Sequence, residues 1–212
     1  MNNKVILFSG GTGGHVIPAV NLGNYILKNG GDCYLFLDSR GAKYSMQFKG
    51  KIFIINSFHF KGNIFFKIKS LIYLFFGLFR SFYLFLKIRP SICIGFGSYA
   101  SFAPLLISTL FKLFNICRIY IHEQNSVIGK VNLFFLPFVD NIFLNFSNIV
   151  NLKKKYLKKS YKVGMPRKQL NIEDKTNNNL TTKEKIIIFV YGGSQGAINL
   201  IKNFIEIIKK LD

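Results

Sequence analysis

The apolar run Val5-Ile6-Leu7-Phe8-Ser9 leads directly into Gly10-Gly11-Thr12-Gly13-Gly14-His15, and a helix-forming segment opened by Pro18 follows. A continuous apolar run marks a strand buried on both faces, as in a parallel sheet. Four glycines permit positive φ and let the backbone approach a ligand closely. Free N–H groups at the start of a helix, aided by its dipole, favour an anion there. A diphosphate is the expected guest, and a tight glycine turn without a ligand is the alternative.

The same pattern recurs where Ile186-Ile187-Ile188-Phe189-Val190-Tyr191 runs into Gly192-Gly193-Ser194-Gln195-Gly196-Ala197 and an apolar helical stretch through Leu211. Two such cradles imply two nucleotide-type halves that face each other across a gap. Strands are expected at Val5–Ser9, Cys33–Leu37, Ile52–Ile55, Ile92–Gly95, Ile119–His122 and Ile142–Leu144, with helices between several of them. This alternation predicts an α/β fold, a Rossmann-like parallel sheet with helices on both faces. Ligands bind such sheets at the carboxyl ends of strands, where segments 10–15, 95–101, 122–129 and 192–197 all fall. The polar stretch 170–185 reads as a linker between a domain over 1–169 and a second one that begins at 186. A single strand, loop and helix over 186–212 cannot cover both of its faces, so the second lobe is expected to be incomplete.

A chain of 212 residues, half of them hydrophobic, can bury one good core and is not a disordered polymer. Its net charge of +20 calls for an anionic partner: nucleic acid, an acidic membrane surface or a phosphate-bearing substrate. No reading helix or stacking platform supports nucleic acid. Cys33, Cys93 and Cys117 lack paired spacing, so they read as core residues of a reducing cytosol rather than a disulfide or zinc framework. No metal site and no cofactor are expected.

Phe65–Lys87 is the most apolar segment. About 17 residues separate Lys69 from Lys87, with Arg80 among them, fewer than the roughly 20 apolar residues of a spanning helix. On a helical wheel Lys69, Ser70, Tyr73, Gly77, Arg80, Ser81 and Lys87 share one arc of about 120°, joined by Leu84, and the rest is apolar. Part of that apolar arc is expected to cover the sheet, and its edge to enter a bilayer interface where Lys61, Lys67, Lys69 and Arg80 meet anionic headgroups. A helix packed wholly in the core is the alternative.

Gly95-Phe96-Gly97-Ser98-Tyr99-Ala100-Ser101 offers another glycine turn before a helix, fit either to hold a phosphate or to cap that helix. His122-Glu123-Gln124-Asn125-Ser126-Val127-Ile128-Gly129 crowds four polar side chains at the end of an apolar strand, a set suited to sugar hydroxyls. His122 reads equally as a structural histidine, the role given to His59.

These motifs, with the Gly164-Met165-Pro166 turn and Gly192-Gly193-Ser194-Gln195-Gly196-Ala197, occur in the order seen in the MurG family, which this chain resembles over nearly its whole length. That family transfers N-acetylglucosamine from UDP-GlcNAc to undecaprenyl-pyrophosphoryl-MurNAc-pentapeptide (lipid I), giving lipid II. The resemblance implies a GT-B fold, an inverting transfer and a peripheral site on the cytoplasmic face of the cell membrane. It also implies that Thr12, Gly13 and Gly14 line the ligand cleft, that Asn125 contacts the sugar nucleotide, and that Ser194 and Gln195 lie in the second cradle against its phosphates. His15 is the candidate base: at a helix N-terminus its cationic form is disfavoured, which keeps it neutral. A purely structural bond to the loop is the other role open to it.

The chain departs from the family in three places. Where the family reads Gly-Asn-Pro-Val-Arg, this chain has Gly164-Met165-Pro166-Arg167-Lys168, so a lysine holds the arginine position and Arg167 is its candidate substitute. Ser98 stands where a second glycine is usual, a costly exchange if the position has positive φ. The uracil- and ribose-binding remainder of the donor lobe has no counterpart, so the chain is expected to be either a fragment of such an enzyme or a shortened protein whose missing lobe a second chain supplies. A membrane-docked module that holds the lipid diphosphate without catalysis is the alternative function.

Overall fold

The computed structural model describes residues 3–57, 63–168, 190 and 198–210. The chain separates into two units, Met1–Arg167 and Lys168–Asp212. The second lobe's predicted strand and glycine cradle at 186–197, with Ser194 and Gln195, lie outside the described residues but for Val190, as do His59 and Lys61. Within the second unit the described structure is a helix, Ile198–Ile208.

In the first unit seven strands form one parallel sheet: β1 (Lys4–Phe8), β2 (Asp32–Leu37), β3 (Lys51–Ile54), β4 (Ile92–Gly95), β5 (Arg118–Glu123), β6 (Asn141–Leu144) and β7 (Ser160–Lys162). Their spatial order is β3-β2-β1-β4-β5-β6-β7. The chain winds outward from β1 to one edge, then returns to β4 beside β1 and winds to the other. That reversal between β1 and β4 is the place where a doubly wound sheet opens a crevice for a ligand. Six strands match the apolar runs of the sequence. The seventh, Ser160-Tyr161-Lys162, was not expected, because an exposed three-residue edge strand carries no apolar run. The free edge of β6 places it.

The two-residue side-chain period sends Ile6, Phe8 and Phe36 to one face and Val5, Leu7, Leu35 and Leu37 to the other. The first face is covered by α3 (Ile64–Ile88), α4 (Phe102–Leu113) and α5 (Lys130–Phe135), the second by α1 (Gly13–Lys28). Phe8, Phe36, Phe85 and Phe111 stack and cross one another with centroids 5.2–6.5 Å apart, joining strands to both long helices. Aromatic pairs at these spacings contribute about 0.5–1.5 kcal/mol each beyond their buried area. Cys33, Cys93 and Cys117 are buried in this core.

The orientation of α3 reverses part of the sequence expectation. Its buried residues are Ser70, Gly77, Ser81, Leu84, Phe85 and Ile88, so the small and polar arc faces inward along much of the helix. Phe65, Phe75, Phe79, Leu71 and Leu86 point outward, with Phe79 68% exposed. The cause is close approach: a Cβ at Gly77 would lie 2.6 Å from the Asn56 carbonyl and 3.4 Å from the Ala103 Cβ. Only small residues fit against that wall, and the large side chains are turned away from it. By length and apolar composition α3 is sufficient to cross a membrane.

Candidate active site

The turn after β1 is tighter and more helical than the sequence suggested. Helix α1 already begins at Gly13, five residues before Pro18, so Gly13, Gly14 and His15 form its first turn. Thr12 is its extended N-cap and makes no side-chain capping bond, and no acidic residue occupies the first turn. Among the described residues the N–H groups of Gly13 and Gly14 have no acceptor. Such a helix start, uncapped and without a carboxylate of its own, attracts an anion.

Asp38, which follows β2 and which no sequence motif singled out, organises this turn. Its Oδ1 accepts from the N–H of Gly11 at 2.8 Å and of Gly41 at 2.9 Å, while Oδ2 takes a two-pronged bond from Arg40 at 2.9 and 2.8 Å. Burial pushes its carboxyl up, but the Gly11 N–H, the Arg40 guanidinium and the Gly41 N–H together hold it below the ordinary value. A Cβ at Gly10 would lie 2.5 Å from that of Ala100 and 2.7 Å from Asp38 Oδ1, and Gly11 has φ +73°. Glycine is required at both.

The turn after β4 abuts this one. Gly97 has φ +80° and backs the His15 ring, from which a Cβ would be 3.4 Å. Ser98 has φ 71° and ψ 154°, a conformation proper to glycine, and its Oγ leans over Gly11. At the end of β5, His122 and Glu123, with Gln124 just past it, are buried and spend their polar atoms inside the protein. Glu123 accepts from Asn125 N and Nδ2, Gly129 N and Asn132 Nδ2 at 2.9–3.1 Å, which shapes the loop rather than leaving the carboxylate for a ligand. Of these four polar residues Asn125 is the one exposed.

These three turns enclose an open cleft of about 230 Å³ lined by His15, Gly97, Ser98, Tyr99, Asn125 and Lys130, with Glu123, Gly129, Val131 and Asn132 behind. His15 and Asn125, 110 residues apart in the chain, thus share one cavity. Thr12, Gly13 and Gly14 precede His15 in the chain and are not among the residues that line the cavity. Lys130 and Asn132 were missed by sequence reasoning, and the only local signal for them is their place just after Gly129. Asn132 Oδ1 is buried and accepts no bond among the described residues.

The Gly164-Met165-Pro166 turn joins the same assembly from behind. Gly164 O accepts from His122 Nε2 at 2.8 Å, and Pro166 O accepts from Asn21 Nδ2 on α1 at 3.1 Å. Arg167 follows, exposed, and Lys168 opens the second unit.

A doubly wound parallel sheet with glycine turns, an uncapped helix start and a polar cleft at its switch point is the architecture of a Rossmann-like lobe of the GT-B type. The chain belongs to glycosyltransferase family 28, whose N-terminal domain matches residues 5–144. It is 37% identical over 97% of its length to the UDP-N-acetylglucosamine--N-acetylmuramyl-(pentapeptide) pyrophosphoryl-undecaprenol N-acetylglucosamine transferase of Rickettsia canadensis (strain McKiel), and 35% identical to the protein of that name from Rickettsia felis. It covers 55% and 56% of those two proteins, so the chain spans about half the length of the curated relatives it matches. Among solved structures, Acinetobacter baumannii MurG shares the fold with a TM-score of 0.63 at 19% identity, over 79% of this chain and 47% of that one. Staphylococcus aureus MnaA in complex with UDP shares it with a TM-score of 0.52 at 13% identity, over 77% and 44%.

Proposed function

We propose that this chain is the acceptor-binding, membrane-docked part of an inverting glycosyltransferase that moves N-acetylglucosamine from UDP-GlcNAc to lipid I, giving lipid II in peptidoglycan synthesis. The observation that carries this reading is the cleft in which His15 and Asn125 meet beside the uncapped start of α1, in a chain of this family. In such a transfer a sugar hydroxyl of the acceptor attacks the anomeric carbon of the donor. His15 takes the hydroxyl proton as the new C–O bond forms, and the old bond breaks with its electron pair leaving on UDP. The N–H groups of Gly13 and Gly14, with Thr12, receive a diphosphate, and Lys130 at the cleft edge adds a cation. Asn125 contacts the sugar nucleotide. Arg167 and Lys168 supply positive charge next to the Gly164-Met165-Pro166 turn, and Ser194 and Gln195 meet the donor phosphates from the second cradle.

The outward apolar face of α3 is the docking surface in this reading. It continues over Leu110, Leu113 and Phe114 at the end of α4 and Phe134 and Phe138 around α5, all exposed. Lys67, Lys69, Arg80 and Lys87 flank it, an arrangement suited to the anionic cytoplasmic face of a bilayer. The remainder of the donor lobe lies outside these 212 residues.

The test adds that remainder as a separate polypeptide and follows label from UDP-GlcNAc into lipid I. Transfer is expected, and His15→Ala is expected to reduce it about 10²-fold or more. If both pieces fold and no transfer occurs while the chain still sediments with lipid I vesicles, the chain is a non-catalytic module that holds the lipid diphosphate.

A further inference from the structure

Behind the cleft, hydrogen bonds run in one line and in one direction. The Gly164 carbonyl can only accept, so His122 Nε2, 2.8 Å away, carries that ring's proton and its Nδ1 is an acceptor. Gln124 Nε2 donates to this Nδ1 at 3.0 Å and to the His122 carbonyl, also at 3.0 Å. The amide therefore has one orientation, and its Oε1 is the end turned to His15. His15 Nδ1 lies 2.8 Å from that oxygen and must donate to it. On a neutral His15 ring this leaves the lone pair on Nε2.

The middle of the line, between Gln124 and His122, is shielded from water. His122 is 3% exposed and Gln124 4%, and the His122 ring stacks on Phe96 with centroids 5.3 Å apart. Burial lowers the His122 pKa below its ordinary value, against the Gly164 carbonyl and the Glu123 carboxylate that raise it. The ring thus stays neutral near pH 7, and the direction of the line persists.

We propose that Gln124, oriented by His122 and the Gly164 carbonyl, is a positioning residue that holds His15 as the Nδ1–H tautomer with Nε2 presented as proton acceptor. An imidazole carries its proton on either nitrogen, and the partner of one nitrogen decides what the other can do. With the wrong tautomer the base is absent although every atom of the side chain is in place. The proposal deepens the role of His15 in the transfer reaction and rests on that reading for its consequence, but the tautomer itself is measurable without turnover.

The experiment records long-range ¹H–¹⁵N spectra of the histidine rings in the full 212-residue chain. The wild type is expected to show a pyrrole-type Nδ1 and a pyridine-type Nε2 at His15. Gln124→Leu is expected to bring the two His15 nitrogens toward exchange-averaged shifts. Gln124→Glu retains an acceptor for His15 Nδ1 and should keep the wild-type pattern. With the donor portion added in trans, Gln124→Leu should lower kcat roughly 10- to 100-fold with KM for UDP-GlcNAc unchanged, and Gln124→Glu should recover part of the loss. A wild-type His15 protonated at Nε2 overturns the proposal, and this spectrum decides even if the leucine variant does not fold. So does a Gln124→Leu variant with unaltered His15 shifts and unaltered kcat. If the spectra behave as expected and the wild type transfers no sugar, the positioning stands and the enzymatic reading of the cleft falls.

Discussion

Ser98 is the residue at which side chain and backbone disagree most. With φ 71° and ψ 154° it occupies a region that is essentially glycine's own, at a cost on the order of 1–3 kcal/mol. Its compensation is slight, since its Oγ accepts only a 3.5 Å bond from the Ala100 N–H. Ser98→Gly should therefore raise stability by about 1 kcal/mol, read as a higher denaturant midpoint at unchanged slope. An unchanged or lower midpoint would mean that the hydroxyl over Gly11 stabilises the turn by as much as the backbone strain costs. The departure from the family's glycine was legible in the sequence as a substitution. Its φ was not, because nothing in one serine announces the backbone around it. Asp38 was invisible for a related reason: a single acid at a strand end has no period, and its five donors come from Gly11, Arg40, Gly41 and Ser57 only after folding.

Elements reveal their contents in sequence but not their rotation. The wheel of α3 separated an apolar arc from a small and polar one, and only the packing of Gly77 against the Asn56 carbonyl decided which of them faces the protein. Gly77→Val should cost about 1–3 kcal/mol in thermal or chemical unfolding, because the helix must lift off that carbonyl. Phe75→Ser, on the opposite exposed side, should change stability by no more than about 0.5 kcal/mol. Equal losses from both would place the apolar arc inward and remove the proposed docking surface. Strand β7 illustrates the converse difficulty. Its three residues hold no pattern of their own and become a strand through the edge of β6, which takes Ser160, Tyr161 and Lys162 into register with Ile142, Phe143 and Leu144.

For the molecule as a whole, the proposed docking has a net charge of +20 and a broad exposed apolar face acting together at an anionic bilayer. In that proposal charge would draw the chain to the surface within a Debye length of about 8–10 Å, and apolar insertion would hold it there. Binding to vesicles with anionic lipid should weaken from low to high salt without vanishing. Phe75→Ser combined with Phe79→Ser should leave the salt-sensitive part and abolish the salt-resistant remainder. Binding lost entirely at high salt in the wild type would leave charge as the sole attachment.

The alternation of apolar runs with glycine turns and helical stretches settled, by itself, that this chain builds a parallel sheet with ligand loops at the carboxyl ends of its strands. Buried strands must be apolar on both faces, and positive φ calls for glycine, so both requirements are written locally. Tertiary structure alone decided the inward face of α3, the seventh strand and the line from Gly164 through His122 and Gln124 to His15. That line joins residues 42 and 109 positions apart, and the direction of a hydrogen bond depends on which donor meets which acceptor. No local pattern carries that information, because the partners become neighbours only once the sheet has brought β5, α1 and the turn after β7 together.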